Sequence, residues 1–201
     1  YAHKLAYFQT KEEFRQDIVK AKKIIEDIIK TPVIGYRAPS WSITEKNKWA
    51  LEILQEEGFK YSSSIFPTKN FLYGISDAPR TINVPYVGSK KMNIYEIPPS
   101  TFKIAGKTIG FSGGSYFRLF PTFFIKYLIK RNNRKGNPVI CYLHPWELDP
   151  NSPKMKLSFI NRNIHYYGIK RCQKKLEKIL ASFKFTTIDD VYKKNYLDKE
   201  Y

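Results

Sequence analysis

The sequence predicts an α/β fold, with strands and helices arranged as a barrel and a small β insert. Helical and strand patterns alternate along the chain at intervals of roughly 25 to 35 residues. Turn-forming residues follow the predicted strands, whereas residues 82–118 contain short β segments separated by turns. This order favours a barrel-like α/β fold over an open sheet or an all-α bundle.

The composition predicts a folded chain. Its 201 residues suffice for one well-buried domain, and its 42% hydrophobic and 16% aromatic content excludes a disordered chain. No apolar run reaches the length of about 18 residues that spans a bilayer. The two cysteines, Cys141 and Cys172, provide neither a disulfide framework nor a metal-ligand spacing.

The charge balance favours anionic partners. Lys and Arg number 35 against 18 Asp and Glu, which gives a net charge of +17. The basic residues are scattered among acidic neighbours, and only residues 130–135 form a dense run. We interpret this run as a solvated helix end, and nucleic acid is not an expected partner.

Local signals predict the elements of the first half. Thr10 and Glu13 form a capping box, so residues 11–30 are predicted as a helix. Its predicted inner face consists of Phe14, Ile18, Ala21, Ile25 and Ile28. Predicted next are a strand over 31–36, a loop over 37–42, a helix capped by Thr44 and closed by Gly58, a strand over 59–62 and a loop over 66–81.

The second half continues the alternation after the β insert. Its predicted β segments are 82–87, 94–97 and 102–111, the last interrupted at Gly106. A helix is predicted from Pro121 to Arg131, followed by a buried strand over 139–143. A long helix over 163–183, a strand over 185–188 and a short terminal helix complete the prediction.

Two candidate site residues follow predicted strands. His144 ends the apolar run 139–143 and precedes Pro145, and Arg37 begins the loop after the first strand. In parallel α/β folds ligands collect at the carboxyl ends of strands, so both residues are expected on one rim. His144 is therefore a candidate acid or base, the alternative being a core or surface histidine.

Three segments resemble the polysaccharide deacetylase family, carbohydrate esterase family 4, in order and spacing. They are residues 35–40 (GYRAPS), 61–67 (YSSSIFP) and 143–147 (LHPWE). The region from Phe159 to Val191 resembles the carboxyl-terminal extension of deacetylases from exopolysaccharide loci. The resemblance implies a distorted (β/α) barrel over residues 1–201, lacking its first strand, with residues 150–201 as an extension packed on it.

The resemblance also implies an activity, namely removal of N-acetyl groups from an amino-sugar polysaccharide or oligosaccharide. The family holds a divalent metal, usually zinc, by one aspartate and two histidines. His144 resembles the general acid, Arg37 the arginine that orients the base aspartate, and the backbone N–H of Ser40 the oxyanion donor. The expected substrate contacts are Tyr36, Pro39, Trp41, Trp146 and Glu147.

The metal site implied by the resemblance is expected to be incomplete in this chain. Residues 1–5 resemble the end of the family's histidine motif, with His3 as the second metal histidine; the alternative is a frayed terminal histidine. The first histidine and two aspartates are expected upstream of Tyr1, and the chain by itself is then inactive. Ser62 stands where relatives have an aspartate, and His165 is expected to be structural.

Two other functions stay open. One is a non-catalytic glycan or polyanion-binding module, suggested by the net charge and by Tyr36, Trp41 and Trp146. The other is an amidohydrolase of a small cyclic amide on the same fold. The expected partner is an N-acetylated saccharide, and an oligomer stays open. The expected location is the bacterial cytoplasm, with the periplasm or exterior left open because the N-terminus is expected to be missing.

Overall fold

The computed structural model describes residues 1–68, 73–153, 155–156 and 158–197. The chain forms two compact units, one of Tyr1–Pro99 with the residues from Tyr192 and one of Ser100–Val191. The predicted organisation as one domain with a carboxyl-terminal extension stays a prediction. Residues 69–72 of the predicted loop 66–81, and residues 154, 157 and 198–201 of the predicted extension, lie outside the described residues.

The first unit begins with the predicted capped helix, α1 (Lys11–Ile29). Thr10 Oγ1 accepts from Glu13 N at 3.2 Å, and Glu13 Oε2 accepts from Thr10 N at 2.7 Å, which confirms the capping box. Phe14 and Ile18 are buried, but Ile28 is 75% exposed. The predicted apolar stripe is therefore buried only in the first half of the helix.

Three short strands form the parallel sheet of the first unit. They are β1 (Gly35–Tyr36), β2 (Tyr61–Ser62) and β5 (Tyr95–Glu96), in the order β1-β2-β5. The helix α2 (Trp49–Glu56) lies between β1 and β2 in sequence, as predicted. The sheets are small and not closed, so a mixed α/β fold is confirmed whereas a distorted barrel is not.

The remaining elements of the first unit are a hairpin and short turns. β3 (Tyr86–Val87) pairs antiparallel with β4 (Lys90–Lys91). Single turns of 3-10 helix occur at Ala6–Phe8, Pro39–Trp41 and Glu45–Asn47. Phe14 lies in the core of this unit, where its ring makes edge contacts with Tyr36 at 5.8 Å and Trp49 at 5.7 Å.

The second unit begins with a hairpin and continues with helices. β6 (Thr101–Ile104) pairs with β7 (Lys107–Gly110) and turns at Gly106, as predicted. The helices are α3 (Gly114–Leu119), α4 (Thr122–Asn133), α5 (Phe159–Tyr166), α6 (Ile169–Leu180) and α7 (Ile188–Tyr192). A 3-10 turn spans Pro145–Glu147. The π-helical turn that follows α7, Lys193–Leu197, belongs to the first unit.

Two helix predictions in the second unit need correction. The sequence did not predict α3, which begins at two glycines. The single helix predicted over 163–183 is divided into α5 and α6, because Gly168 takes a left-handed conformation with φ of 75°. A Cβ at Gly168 would also lie 3.0 Å from the carbonyl oxygen of Arg118, so only glycine fits this junction without adjustment.

Two strand predictions were also wrong in detail. Residues 185–188 form no paired strand in the described part of the chain, since α7 begins at Ile188. Residues 139–143 are half-buried and form one parallel bridge, Gly113 to Tyr142, rather than a buried strand. Side-chain hydroxyls take over part of the pairing, because Ser100 Oγ accepts from Ile140 N and Ser112 Oγ donates to Ile140 O.

The core of the second unit joins α3, α4 and α6. Phe117, Ile125 and Ile179 are fully buried in it. Lys175 of α6 closes the carboxyl end of α3, because its Nζ donates to the carbonyls of Phe117, Arg118 and Phe120 at 2.7 to 3.0 Å. Burial lowers the pKa of this ammonium group, so these three acceptors take the place of water.

The close bridge at Gly113 gives a stability prediction. A Cβ at Gly113 would lie 2.5 Å from the carbonyl oxygen of Tyr142, so Gly113→Ala must displace backbone and should cost about 2 kcal/mol or more. Gly106→Ala is the control, since a Cβ at Gly106 meets nothing within 4 Å and only the φ of 75° opposes the change. This substitution should lower the free energy of unfolding by about 1 kcal/mol. Urea unfolding measures both, and equal losses would contradict a tight bridge.

Candidate active site

Arg37 lies at the carboxyl edge of the parallel sheet in the first unit. Its Nη2 donates to Ser63 Oγ at 2.9 Å, and its Nε donates to Ser63 O and Oγ at 3.3 Å. Arg37 follows β1 and Ser63 follows β2, and these strands are parallel. Parallel pairing therefore brings the predicted arginine to the neighbouring strand end, as expected for this edge.

A carboxyl group that sequence reasoning missed lies at the same edge. Glu96 ends β5, is 2% exposed, and pairs with Ser62 in the β2–β5 register. Its Oε1 accepts from Ser64 N at 2.7 Å and from Ile65 N at 2.8 Å. An acidic residue within the apolar run Ile94–Ile97 was the available signal.

The environment of Glu96 shifts its titration to neutral pH. Burial raises the pKa of its carboxyl to about 7, and the N–H of Ile65, Ser62, the N–H of Ser64 and the charge of Arg37 oppose that rise. The protonated and ionised forms are therefore both accessible near neutral pH. A carboxyl of this kind beside an arginine is typical of functional sites, although buried structural groups also show such shifts.

The raised pKa of Glu96 predicts a pH-dependent stability. Its folded pKa of about 7 exceeds its ordinary value of 4.5, so its contribution is complete below pH 4.5 and is lost as pH rises to about 7. The loss should be on the order of 3 kcal/mol. Urea unfolding at pH 5 and pH 8 measures it, and Glu96→Gln should remove this component. An unchanged pH dependence in Glu96→Gln would contradict the assignment.

The loop after β1 places its predicted residues in different environments. Ser40 is exposed, with φ of 50° and ψ of 30°, in the turn Pro39–Trp41, where Pro39 is half-buried. Trp41 packs on Phe66 with ring centroids 5.3 Å apart. Ser40 is thus accessible to a ligand, whereas the indole of Trp41 is partly committed to packing.

Tyr36 serves the core of the first unit. Its ring makes edge contacts with Phe14 at 5.8 Å and Phe59 at 5.9 Å, and burial raises the pKa of its hydroxyl. Tyr36 is one of the residues expected to contact the substrate. Its packing makes any effect on a substrate indirect, through the position of Arg37 next in the chain.

The described residues do not fit the metal site that the resemblance implies. His3 is exposed in the segment before the first 3-10 turn, with φ of 55°. Among residues 1–68, 73–153, 155–156 and 158–197, no group of three or more His, Cys, Asp and Glu could hold a metal ion. The ligand role of His3 therefore stays a prediction.

In the second unit, His144 stands exposed at the start of the Pro145–Glu147 turn. Its backbone N–H donates to Glu147 Oε2 at 2.9 Å, and Glu147 N donates to His144 O at 3.0 Å. These reciprocal bonds close the turn and fix the backbone from which the imidazole projects. The imidazole is thereby presented to solvent on a rigid support.

A buried ion pair holds this turn in place. Arg118 Nε donates to Glu147 Oε1 at 2.8 Å, and the side chains are 3% and 0% exposed. Arg118 Nη1 also donates to the carbonyls of His165 at 2.5 Å and Tyr167 at 2.8 Å. Glu147 was expected to contact substrate, but its buried carboxylate has a protein partner on each oxygen. Any role in substrate binding is therefore indirect, through the position of His144.

Aromatic rings extend the surface beside His144. Trp146 and His165 are stacked with centroids 4.3 Å apart and an angle of 5° between planes. His144 lies 6.3 Å from Trp146 at an angle of 20°, and the guanidinium of Arg118 lies 5.2 Å from the indole. Burial, followed by the charge of Arg118, lowers the pKa of His165, which favours its neutral form. This packing agrees with the structural role expected for His165.

Arg37 and Ser40 belong to the first unit, and His144 and Trp146 belong to the second. Within each unit the structure brings together the groups described above. The expectation that Arg37 and His144 share one rim stays a prediction. Sequence reasoning missed two buried charged residues: Arg118, which contacts Glu147 in the second unit, and Glu96, which feels the charge of Arg37 in the first.

The fold is similar to that of a solved protein structure. The chain resembles a solved crystal structure described as a "putative polysaccharide deacetylase from Mycobacterium smegmatis", with a TM-score of 0.53 and 15% sequence identity. The match covers 99% of this chain and 62% of that one, so the chain spans about three fifths of its length. The likeness shows a mixed α/β fold similar to that of a polysaccharide deacetylase.

The family follows from the sequence profile. The domain of unknown function DUF3473 matches residues 63–193, and the chain belongs to this family. Together with the fold, this match confirms the resemblance to polysaccharide deacetylases. No curated protein matches the chain. Within the described residues, no helix has the length and apolar character to cross a bilayer.

The buried ion pair gives a second stability prediction. Glu147→Gln keeps the shape of the side chain but leaves the buried charge of Arg118 without its partner. It should lower the free energy of unfolding by about 3 to 5 kcal/mol. The control is Glu45→Gln, which breaks the pair between Lys48 and an exposed Glu45 at 2.8 Å and should cost about 0.5 kcal/mol. Urea unfolding compares the two, and a loss at Glu147 no larger than at Glu45 would show that the pair contributes little.

Proposed function

We propose that the protein is a hydrolase that removes N-acetyl groups from an amino-sugar polysaccharide or oligosaccharide. Three ordered motifs, the family match and the deacetylase-like fold support this proposal. The observation that supports it most is the turn at His144. An exposed imidazole on a fixed backbone, next to a flat aromatic stack, suits acid catalysis on a sugar.

In the proposed reaction His144 is the general acid. Water adds to the acetyl carbonyl and loses a proton to the base; as the acetamide C–N bond then breaks, His144 donates a proton to the leaving amine, and acetate is the other product. Glu147 holds the backbone of His144, and Arg118 holds Glu147, so these two are positioning residues. Trp146, backed by His165, offers a flat apolar surface on which a sugar ring can stack.

Two residues of the first unit have proposed roles that rest on the resemblance. Arg37 is proposed to orient a carboxylate base, and the backbone N–H of Ser40 to stabilise the oxyanion that develops on the acetyl carbonyl. Ser40 is exposed, which suits that role. Pro39 and Trp41 lie in the same turn and are proposed substrate contacts.

A divalent metal, zinc by resemblance, remains part of the proposal, with His3 as one ligand. The other ligands and the base would come from outside the described residues, which contain no suitable cluster. The groups of the proposal that lie within the described residues are His144 with its positioning residues, Arg37 and the backbone N–H of Ser40. The proposed partner is an N-acetylated saccharide, and the proposed location is the bacterial cytoplasm. The family match and the fold do not favour a non-catalytic binding module.

The activity prediction concerns His144. In the natural full-length protein supplied with zinc, His144→Ala should lower kcat for acetate release from N-acetylglucosamine oligosaccharides by about 10² to 10⁴-fold, with KM little changed. His165→Ala is the matched variant, since it removes the ring behind Trp146 and leaves His144. It should raise KM more than it lowers kcat.

Full activity of His144→Ala would exclude the acid role. If the full-length protein binds the oligosaccharide but releases no acetate with zinc present, the binding-module alternative replaces the proposed hydrolase. Acetate production is measured enzymatically, and binding is measured by calorimetry on the same preparations.

A further inference from the structure

The second unit contains a long stretch without acidic residues. Between Glu96 and Glu147 the sequence has no Asp or Glu, but it has eight Lys and Arg. One of the eight, Arg118, is buried in its pair with Glu147. The others are Lys103, Lys107, Lys126, Lys130, Arg131, Arg134 and Lys135. This stretch therefore carries a local excess of positive charge that no neighbour in sequence balances.

The helix α4 divides sharply into two faces. Ile125, Leu128 and Ile129 are at most 2% exposed and pack into the core. Phe123 and Tyr127 lie one turn apart on the opposite side, and they are 75% and 56% exposed.

Basic residues continue the exposed side of α4. Lys130 and Arg134 lie at the spacings i+7 and i+11 from Phe123, so they extend the same stripe, and both are exposed. Lys126 and Arg131 flank it. We define the α4 outer face as Phe123, Tyr127, Lys130 and Arg134, with these two flanking cations.

Two neighbouring sites repeat this combination. Leu119 at the end of α3 is 57% exposed and lies four residues before Phe123 in sequence. At the tip of the β6–β7 hairpin, Ile104 is 55% exposed between the exposed Lys103 and Lys107. The hairpin joins α4 at its base, where Phe102 contacts Phe124 with ring centroids 5.4 Å apart. The exposed side chains of Phe123, Tyr127 and Ile104 thus lie close in sequence to exposed Lys and Arg residues.

We propose that the α4 outer face docks the protein on an anionic phospholipid bilayer. Aromatic and aliphatic side chains bury at the boundary between headgroups and acyl chains, and Lys and Arg contact the lipid phosphates. Both kinds of side chain lie on one stripe of α4, so a flat surface can meet them together. The helix lies along the bilayer surface and does not cross it.

The apolar component favours a bilayer over a soluble polyanion. A nucleic acid or acidic polysaccharide is attracted by the cations. Charge attraction alone does not account for the exposed apolar side chains of Phe123 and Leu119. A bilayer binds both features, since burial of apolar area adds to charge attraction. Docking of this kind would hold the proposed hydrolase at a membrane surface, although the inference does not depend on that activity.

Vesicle co-sedimentation of the natural full-length protein tests the proposal. Vesicles of phosphatidylcholine with an equal part of phosphatidylglycerol should bind at least about tenfold more tightly than vesicles of phosphatidylcholine alone. The double variant Phe123→Ser, Tyr127→Ser keeps the charge and should weaken binding about tenfold. The double variant Lys130→Gln, Arg134→Gln should weaken it similarly.

A matched control separates this face from net charge. Lys170 and Lys174 are exposed on α6 at the i, i+4 spacing, and Lys170→Gln, Lys174→Gln removes the same charge as the α4 variant. Vesicle binding of this control should be unchanged. All variants should keep the unfolding midpoint and the acetate release from soluble oligosaccharide, so loss of docking is distinct from loss of activity.

Three results would overturn the proposal. The first is a failure of specificity: either both kinds of vesicle bind the protein equally, or the α4 and α6 charge variants weaken vesicle binding equally. The second is tight binding of soluble polyaspartate that survives Phe123→Ser, Tyr127→Ser, while vesicle binding is absent. The third is self-association in sedimentation velocity that this variant abolishes without vesicle binding, which would assign the face to a second copy of the chain.

Discussion

The buried ion pair between Arg118 and Glu147 is the interaction on which the second unit depends. Removing two charges from water costs several kcal/mol per ion unless their hydrogen-bonding capacity is also met. Arg118 Nε donates to Glu147, and Arg118 Nη1 donates to two carbonyls near the end of α5. The second carboxylate oxygen of Glu147 accepts from the backbone N–H of His144. The cost is offset only when α3, the His144 turn and α5 are assembled. The position of the exposed imidazole therefore depends on a buried ion pair.

The first unit uses a buried charged group differently. Glu96 forms no ion pair within the described part of the chain, and its Oε1 accepts two backbone N–H groups from the residues that follow β2. Dipoles compensate burial less completely than a paired guanidinium, which is why the pKa of Glu96 is raised. The two units thus hold their candidate site residues by different means. The second unit uses a buried ion pair, and the first uses a buried carboxyl whose pKa of about 7 lets it gain or lose a proton near neutral pH.

Elements whose chemistry is local could be predicted from sequence, and contacts between distant residues could not. The capping box at Thr10, the hairpin turn at Gly106 and the helix after Pro121 each depend on a few adjacent residues. The pairing of Arg118 with Glu147 joins residues 29 apart through a helix that begins at two poor helix formers. The strand prediction for 139–143 was wrong because apolar content indicates burial but does not specify hydrogen bonding to a neighbouring strand. Motif order could place His144 and Arg37 in a candidate site, whereas Glu96 needed the β2–β5 register.

The ammonium group of Lys175 joins two helices by three hydrogen bonds. Detachment of α6 would leave the carbonyls at the end of α3 without this donor. Since α3 carries Arg118, partial unfolding of α6 would also release the anchor of Glu147. We therefore expect the backbone amide of His144, which Glu147 holds, to exchange its hydrogen together with the opening of these two helices.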